Sequence, residues 1–405
     1  MSCHERFCVA RRNAGFAHPI VFLLTYATAA SLPSVGFLSQ RVSDLQDHFP
    51  FLYAKVEAER TSKPRFVTGQ KWDAKDIILE ETYDPEPSTG NEEERISREK
   101  GRLIKSRIDR IGAKDTAKES LWNIALLKSS SDPQGTAYLA FSTDHIIVDG
   151  MGFLILLRLL LAPVLPTDLP YEKLSAIPLF DDTFDLRPSY FTLIPTALRE
   201  LVLPKLPMFV QNLFKEDPIW PGSNFKLTPT SAPGALHLCE IPSGVVGPLK
   251  IMGRRKNVST LHPIIHTAFN VAIWGLWGSS SPNNAFHMKT MTATNVRDYN
   301  KGHAHAMACY SGFVSRSSSW QSSSDFWVEA KSFNDYLKSD QAKRDGPIGM
   351  GMLNYIPDGP GPFPASGIPG ASDEGKTPTG WERFFWDKVG YCEVGHSCQA
   401  NTSLV

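Results

Sequence analysis

The 405-residue chain predicts a mixed α/β fold of the α+β kind, built as two sheet-and-helix halves joined by a crossover. Three observations predict it. A strand pair runs from Leu121 to Thr143 with a turn near Pro133, its second strand reading Tyr138-Leu-Ala-Phe-Ser-Thr143. An amphipathic helix over 32–49 sets Leu32, Val35, Leu38, Val42 and Leu45 near one face. Proline recurs so often from Pro163 to Pro233 that long elements cannot persist there. Residues 166–233 are therefore the crossover, between a half at 1–165 and a half at 234–405.

The first half opens with Pro19-Ile-Val-Phe-Leu-Leu-Thr-Tyr26, read as a core strand. Arg11-Arg12 before it and Ala27-Thr-Ala29-Ala-Ser after it also fit a secretory signal, with a charged start, an apolar centre and a small-residue cleavage site. The strand reading is taken, because the apolar run is only about eight residues long. It makes the protein cytoplasmic and the sequons at Asn257 and Asn401 incidental; secretion is the alternative. Residues 66–82 form a strand with its flanks, 83–93 a polar loop with Pro85, Pro87 and Gly90, and 94–110 a charged helix. Phe153 to Leu161, broken only by Arg158, is a buried helix, and no stretch reaches transmembrane length.

In the crossover a helix over Thr196–Phe214 is expected, kinked or split by Pro204 and Pro207. The second half begins with a strand Ala235–Ile241 and a helix 243–253. A buried helix 258–277 carrying Trp274 and Trp277 follows, then a strand 286–295 and a helix Ser324–Lys343.

Lys plus Arg and Asp plus Glu number 42 each, so no global field recruits nucleic acid. The clusters Arg254-Arg-Lys256 and Arg98 to Arg110 read as solvated helix faces, the first also able to meet phosphate groups of a ligand. Cysteines at 3, 8, 239, 309, 392 and 398 are scattered without framework spacing, so reduced thiols are expected. No metal site is expected either. Cys392, His396 and Cys398 lack a second ligand pair, Cys3 with His4 sits at a terminus, and His262 and His266 lack the glutamate of a zinc protease between them.

The chemistry-bearing string is His145-Ile-Ile-Val-Asp149-Gly150 at the end of the second strand of the pair. An imidazole titrates near neutral pH and can take a proton from a hydroxyl or amine attacking an activated carbonyl. Spacing alone also admits a core histidine satisfied by a backbone carbonyl, with Asp149-Gly150 as an ordinary turn. Asp149 could orient the ring as the acid of a triad does.

Further segments bear on that choice. Glu5-Arg-Phe-Cys-Val-Ala-Arg-Arg-Asn-Ala-Gly15-Phe is followed by a strand and by a helix ending His48-Phe-Pro50-Phe-Leu, and the second half carries Met288-Lys-Thr-Met-Thr-Ala-Thr-Asn295-Val-Arg297. Together with His145-x3-Asp149-Gly150 these resemble the fungal alcohol O-acetyltransferase family. That family lies within the CoA-dependent acyltransferase superfamily, beside chloramphenicol acetyltransferase, the plant BAHD enzymes and peptide-synthetase condensation domains. Asp144 stands where condensation domains carry the first histidine of a pair, which points to the free-standing, ester-forming branch.

The resemblance implies two chloramphenicol-acetyltransferase-like subdomains with a tunnel between them, entered by an acyl-CoA such as acetyl-CoA and by a small-molecule alcohol. It implies a co-substrate rather than a bound cofactor. His145 would be the general base, and Asp149 would pair with Arg297 to hold the turn. Gly150 would allow close backbone approach, while Asp144, Asn295 and Tyr310 would border the substrate, Asn295 equally fitting the end of a strand. A monomer is expected, with association to endoplasmic-reticulum or lipid-droplet surfaces open to its short apolar helices. Two other readings stand beside this one. The same base could serve N-acylation or condensation of a carrier-bound acyl group, or the scaffold could bind small molecules or lipid without catalysis. Relatives continue for several strands where this chain becomes glycine- and proline-rich after Gly346-Pro-Ile-Gly-Met-Gly351, and the BAHD Asp-Phe-Gly-Trp-Gly motif is absent. A short second sheet with an exposed edge is the expectation.

Overall fold

The computed structural model describes residues 1–351 apart from 14–16, 62, 88–90, most of 168–240, 279–285, 298–306 and 322–323. Within the helix expected over Thr196–Phe214 the described residues hold a helical turn Leu203–Lys205 and a short helix Met208–Leu213, parted at Pro207. Most of the expected strand Ala235–Ile241, and Cys392, His396 and Cys398, lie outside the described residues.

A four-stranded sheet organises the first half. Its strands are β1 (Pro19–Tyr26), β4 (Ile78–Tyr83), β5 (Trp122–Ser129) and β6 (Ala137–Asp144), in the order β1-β6-β5-β4. The antiparallel hairpin β5/β6 sets Trp122 opposite Thr143, β1 lies antiparallel on β6, and β4 runs parallel to β5. Burial of every residue of β6 follows from two-sided cover and from the alternation of side chains along a strand. Ile124, Leu126, Leu139 and Phe141 join the main core. Ala125, Leu127, Tyr138 and Ala140 form a second cluster with Leu103 of a long helix, α3 (Glu92–Gly112). There Tyr138 donates its hydroxyl to buried Glu99 at 2.9 Å. Burial and that carboxylate raise the pKa of Tyr138 and push that of Tyr83 up to about 12.

Helix α1 (Cys3–Asn13) precedes β1, and α2 (Val35–His48) follows it. Ser34 caps α2 by accepting from the Phe37 N–H at 3.1 Å, and Leu38, Val42 and Leu45 turn into the core. Leu32 precedes the helix and Val35 is exposed, so the apolar stripe is narrower than the sequence suggested. Residues 66–82 hold two strands rather than one. β3 (Arg65–Thr68) pairs with β2 (Ala54–Glu57), and a helical turn Ala74–Ile77 leads into β4. Helix α4 (Gly150–Leu161) leaves the far end of β6.

The second half contains a three-stranded sheet of β7 (Ile219–Trp220), β8 (Phe286–Asn295) and β9 (Ser311–Trp320), in that order. Around it lie α5 (Ser243–Arg255), α6 (Leu261–Ile273, continued by a wide turn Trp274–Gly278), α7 (Phe326–Lys338) and α8 (Asp340–Gly351). The single helix expected over Ser324–Lys343 is divided, because Ser339 takes an extended backbone between α7 and α8. The main core continues across the halves, with Met307, Tyr310 and Met350 among the residues that cluster with Phe141, Phe153 and Leu160. Among the described residues no helix is long and apolar enough to cross a membrane.

Candidate active site

His145 sits one residue past β6, where the chain turns before α4. Asp149 starts that helix: its Oδ1 accepts from the Gly152 N–H at 2.7 Å, which satisfies one of the open donors of the first turn. From the second half, Arg297 follows β8 and donates Nη1 to Asp149 Oδ2 at 2.8 Å and Nη2 to Oδ1 at 2.7 Å. The backbone N–H of Tyr310 supplies a further donor to Oδ2 at 2.9 Å. Arg297 is itself held, giving Nη2 to the Ala308 carbonyl at 2.8 Å and Nη1 to Asn295 Oδ1 at 3.1 Å, with its guanidinium 5.4 Å from the Tyr310 ring centroid. The pair is withdrawn from water, with side-chain exposures of 0% and 2%. An ion pair so placed gains its value from being complete, since removing one member strands the other charge.

The Asp149 oxygens thus face Gly152, Arg297 and Tyr310, not the imidazole. Asp144, the last residue of β6, shapes the same turn from the other side. Its Oδ1 accepts from the Ile146 N–H at 3.0 Å, and its carboxylate is paired with Arg12 of α1.

His145 is partly exposed, and its ring lies among three groups from distant segments. The His4 ring centroid is 5.2 Å away, that of His18 is 5.6 Å away edge-on, and Cys309 Sγ is 3.9 Å from Nδ1 while donating to the His145 carbonyl at 3.2 Å. Burial, then the nearby His145 and His18, hold the His4 pKa well below the usual imidazole range. Burial likewise pushes the Cys309 thiol well up. Of these neighbours, the buried His4 and Cys309 are therefore uncharged at neutral pH.

No protein-family model and no curated protein sequence matches the chain. Solved structures do. A holo four-domain nonribosomal peptide synthetase bound to AMP and glycine superposes with a TM-score of 0.55 at 12% identity, over 85% of this chain and 24% of that one. The EpoB cyclization-docking bidomain from Sorangium cellulosum gives 0.52 at 16% identity, over 86% and 64%. The first condensation domain of the calcium-dependent antibiotic synthetase, in complex with a substrate analogue, gives 0.51 at 12% identity, over 84% and 74%. The chain has a condensation-domain-like fold. It spans about a quarter of the length of the four-domain synthetase.

Within this condensation-domain-like fold the residues singled out from sequence take different parts. His145, Asp149, Asn295, Arg297 and Tyr310 are brought together. Asp144 and Tyr310, expected beside substrate, are 2% and 0% exposed and are engaged inside the protein, one in an ion pair and one against Arg297. Asn295 ends β8 and turns its carboxamide oxygen onto the Arg297 N–H at 3.2 Å, the strand-end alternative. Gly150 is exposed, and a Cβ there would meet no protein atom within 4 Å. Gly152 is the crowded position. A Cβ on it would lie 2.6 Å from Val148 Cγ2, 2.8 Å from the Met307 carbonyl and 3.0 Å from Arg297 Nη2.

Sequence reasoning passed over Gly152, Arg12, His4, His18 and Cys309. Gly152 carried a signal, standing two residues beyond the motif. Cys3 and His4 were set aside as terminal, yet α1 buries both by packing Cys3, Cys8 and Val9 into the core. The approach of His4 to His145 is a tertiary effect without local trace. His262 and His266 face β8, with Nε2 contacts to Thr292 and Thr290 at 3.3 and 2.9 Å. The tunnel expected between the halves is not a feature that the described residues define.

Proposed function

We propose that the chain is an acyltransferase that moves an acyl group from a CoA thioester to an alcohol, with His145 as general base. The observation that carries this reading is a partly exposed histidine at the end of β6, on a turn pinned from the second half by the Asp149–Arg297 pair. With Nδ1 toward Cys309, Nε2 is the nitrogen left for an incoming hydroxyl. It takes the hydroxyl proton as oxygen attacks the thioester carbonyl; the carbon–sulfur bond then breaks, and the imidazolium returns the proton to the leaving thiolate. No acyl-enzyme forms, so no serine or cysteine nucleophile is required. Asp149 and Arg297 act as positioning residues, and holding both substrates against one ring in a tunnel supplies the orientation that a bimolecular transfer otherwise lacks.

Acetyl-CoA or another acyl-CoA is the co-substrate and the protein works as a monomer. Exposed Met208, Phe209 and Leu213, on a short helix in the crossover, support contact with a lipid surface. The fold likeness favours one second reading, condensation of a carrier-bound acyl group with an amine. Against it, the residue before His145 is a buried, arginine-paired aspartate.

A donor-and-acceptor matrix decides between them. Alcohol-dependent release of CoA from acetyl-CoA supports ester formation. Turnover only with a carrier-protein thioester and an amine assigns the condensation reading, and turnover with neither leaves a binding protein on this scaffold.

A further inference from the structure

We propose that His4, His145 and Cys309 form a binding site for a zinc-class divalent cation, and that an ion held there takes His145 out of service. Three separate segments supply the donors: α1, the turn after β6, and the stretch leading into β9. The His nitrogens and the Cys309 sulfur lie within 4.8 Å of one another. Zinc bonds of about 2.0 Å to nitrogen and 2.3 Å to sulfur put two ligands of a tetrahedral ion roughly 3.4–3.6 Å apart. Cys309 Sγ and His145 Nδ1, at 3.9 Å, are already close to that spacing. Side-chain rotations on the order of 1 Å close the remainder.

The surroundings favour the same use. Ser311 Oγ contacts His4 Nδ1 at 3.2 Å, fixing that ring and leaving Nε2 for the cluster, as a supporting hydrogen bond does for a ligating histidine. Two imidazoles and a thiol select zinc or cobalt over magnesium or calcium, which take oxygen. His4 and Cys309 are buried, whereas His145 is partly exposed, the side from which an ion would enter and a water would complete a three-ligand site. Binding converts the Cys309 thiol to a thiolate and releases one proton per ion. A neutral imidazole that ligates through Nδ1 keeps its proton on Nε2, so it cannot accept one from a hydroxyl. The ion and the general base therefore compete for one ring. The site stands without the acyl-transfer reading; the loss of activity rests on it.

The test uses the full chain stripped with a chelator and titrated with Co2+. The proposal expects a thiolate-to-cobalt charge-transfer band that saturates at one equivalent, releases one proton per ion and is bleached by Zn2+. C309S should lose the band, and H4Q should weaken Co2+ binding at least about tenfold. Both variants are first checked for unchanged circular dichroism, and either one that folds suffices. No band at one equivalent in the folded wild type, or an unchanged titration in the folded variants, overturns the site. With acyl transfer as readout, Zn2+ should suppress turnover and chelator restore it, and C309S should be suppressed far less relative to its own metal-free rate. A cobalt band with full turnover in Zn2+ overturns the brake. A band in a chain without turnover upholds the site and rejects the acyl-transfer reading instead.

Discussion

Arg297 grips Asp149 with both terminal nitrogens, at 2.7 and 2.8 Å, across 148 positions of sequence. With both side chains out of water, replacing either member leaves an uncompensated charge beneath the His145 turn. Asp149→Ala and Arg297→Ala are each expected to lower unfolding free energy by about 3–5 kcal/mol. The double variant should cost clearly less than the sum, which urea unfolding of all four proteins measures. Additive losses would mean that the pair does not act as a unit.

Two glycines near the motif have opposite surroundings, and substitution reads them apart. Gly152→Ala drives a Cβ into the Met307 carbonyl, Val148 and Arg297, and is expected to cost about 1–3 kcal/mol and to loosen the ion pair. Gly150→Ala meets open space and should stay within about 0.5 kcal/mol of wild type. Thermal unfolding of the two variants side by side checks the contrast, and equal effects would contradict it.

Lys114 provides a pH dependence with a definite sign. Burial lowers its pKa to about 8 from 10.5, with Arg110 and Arg12 adding repulsion, and its ammonium donates to the Ser120 carbonyl. Between about pH 8 and 10.5 the unfolded chain therefore holds a proton that the folded chain has released, so this group makes stability rise with pH across that window. Below pH 8 both states are charged and the folded state bears the whole burial penalty. Lys114→Met should be more stable than wild type at pH 7, and that advantage should shrink as pH climbs from 8 toward 10.5. Chemical denaturation at several pH values reads the difference; an advantage that grows with pH would refute the assignment.

The hairpin β5/β6 was readable in the sequence because its strands are apolar, bounded and adjacent. α4 followed from the apolar run after Gly150, and β8 from its bounds at Phe286 and Asn295. β9 was not readable, since Ser311-Gly-Phe-Val-Ser-Arg-Ser-Ser-Ser-Trp320 is largely polar and becomes a strand through its antiparallel register with β8. α1 escaped notice because arginines interrupt its apolar face, and what marks it is tertiary: Arg12 on Asp144 and His4 beside His145. The same limit applied at the site. Local pattern located His145 and Asp149, whereas the burial of Tyr310 and Asp144 and the crowding at Gly152 depend on chain brought in from far away.

The measurement that bears most directly on this account is acetyl-CoA consumption with a panel of alcohols, run on wild type and on His145→Ala at matched folded concentration. Alcohol-dependent CoA release that falls by about 10²–10⁴-fold in the variant, with its unfolding transition intact, is the predicted result. A His145→Ala protein that releases CoA as fast as wild type would show that this imidazole is not the base.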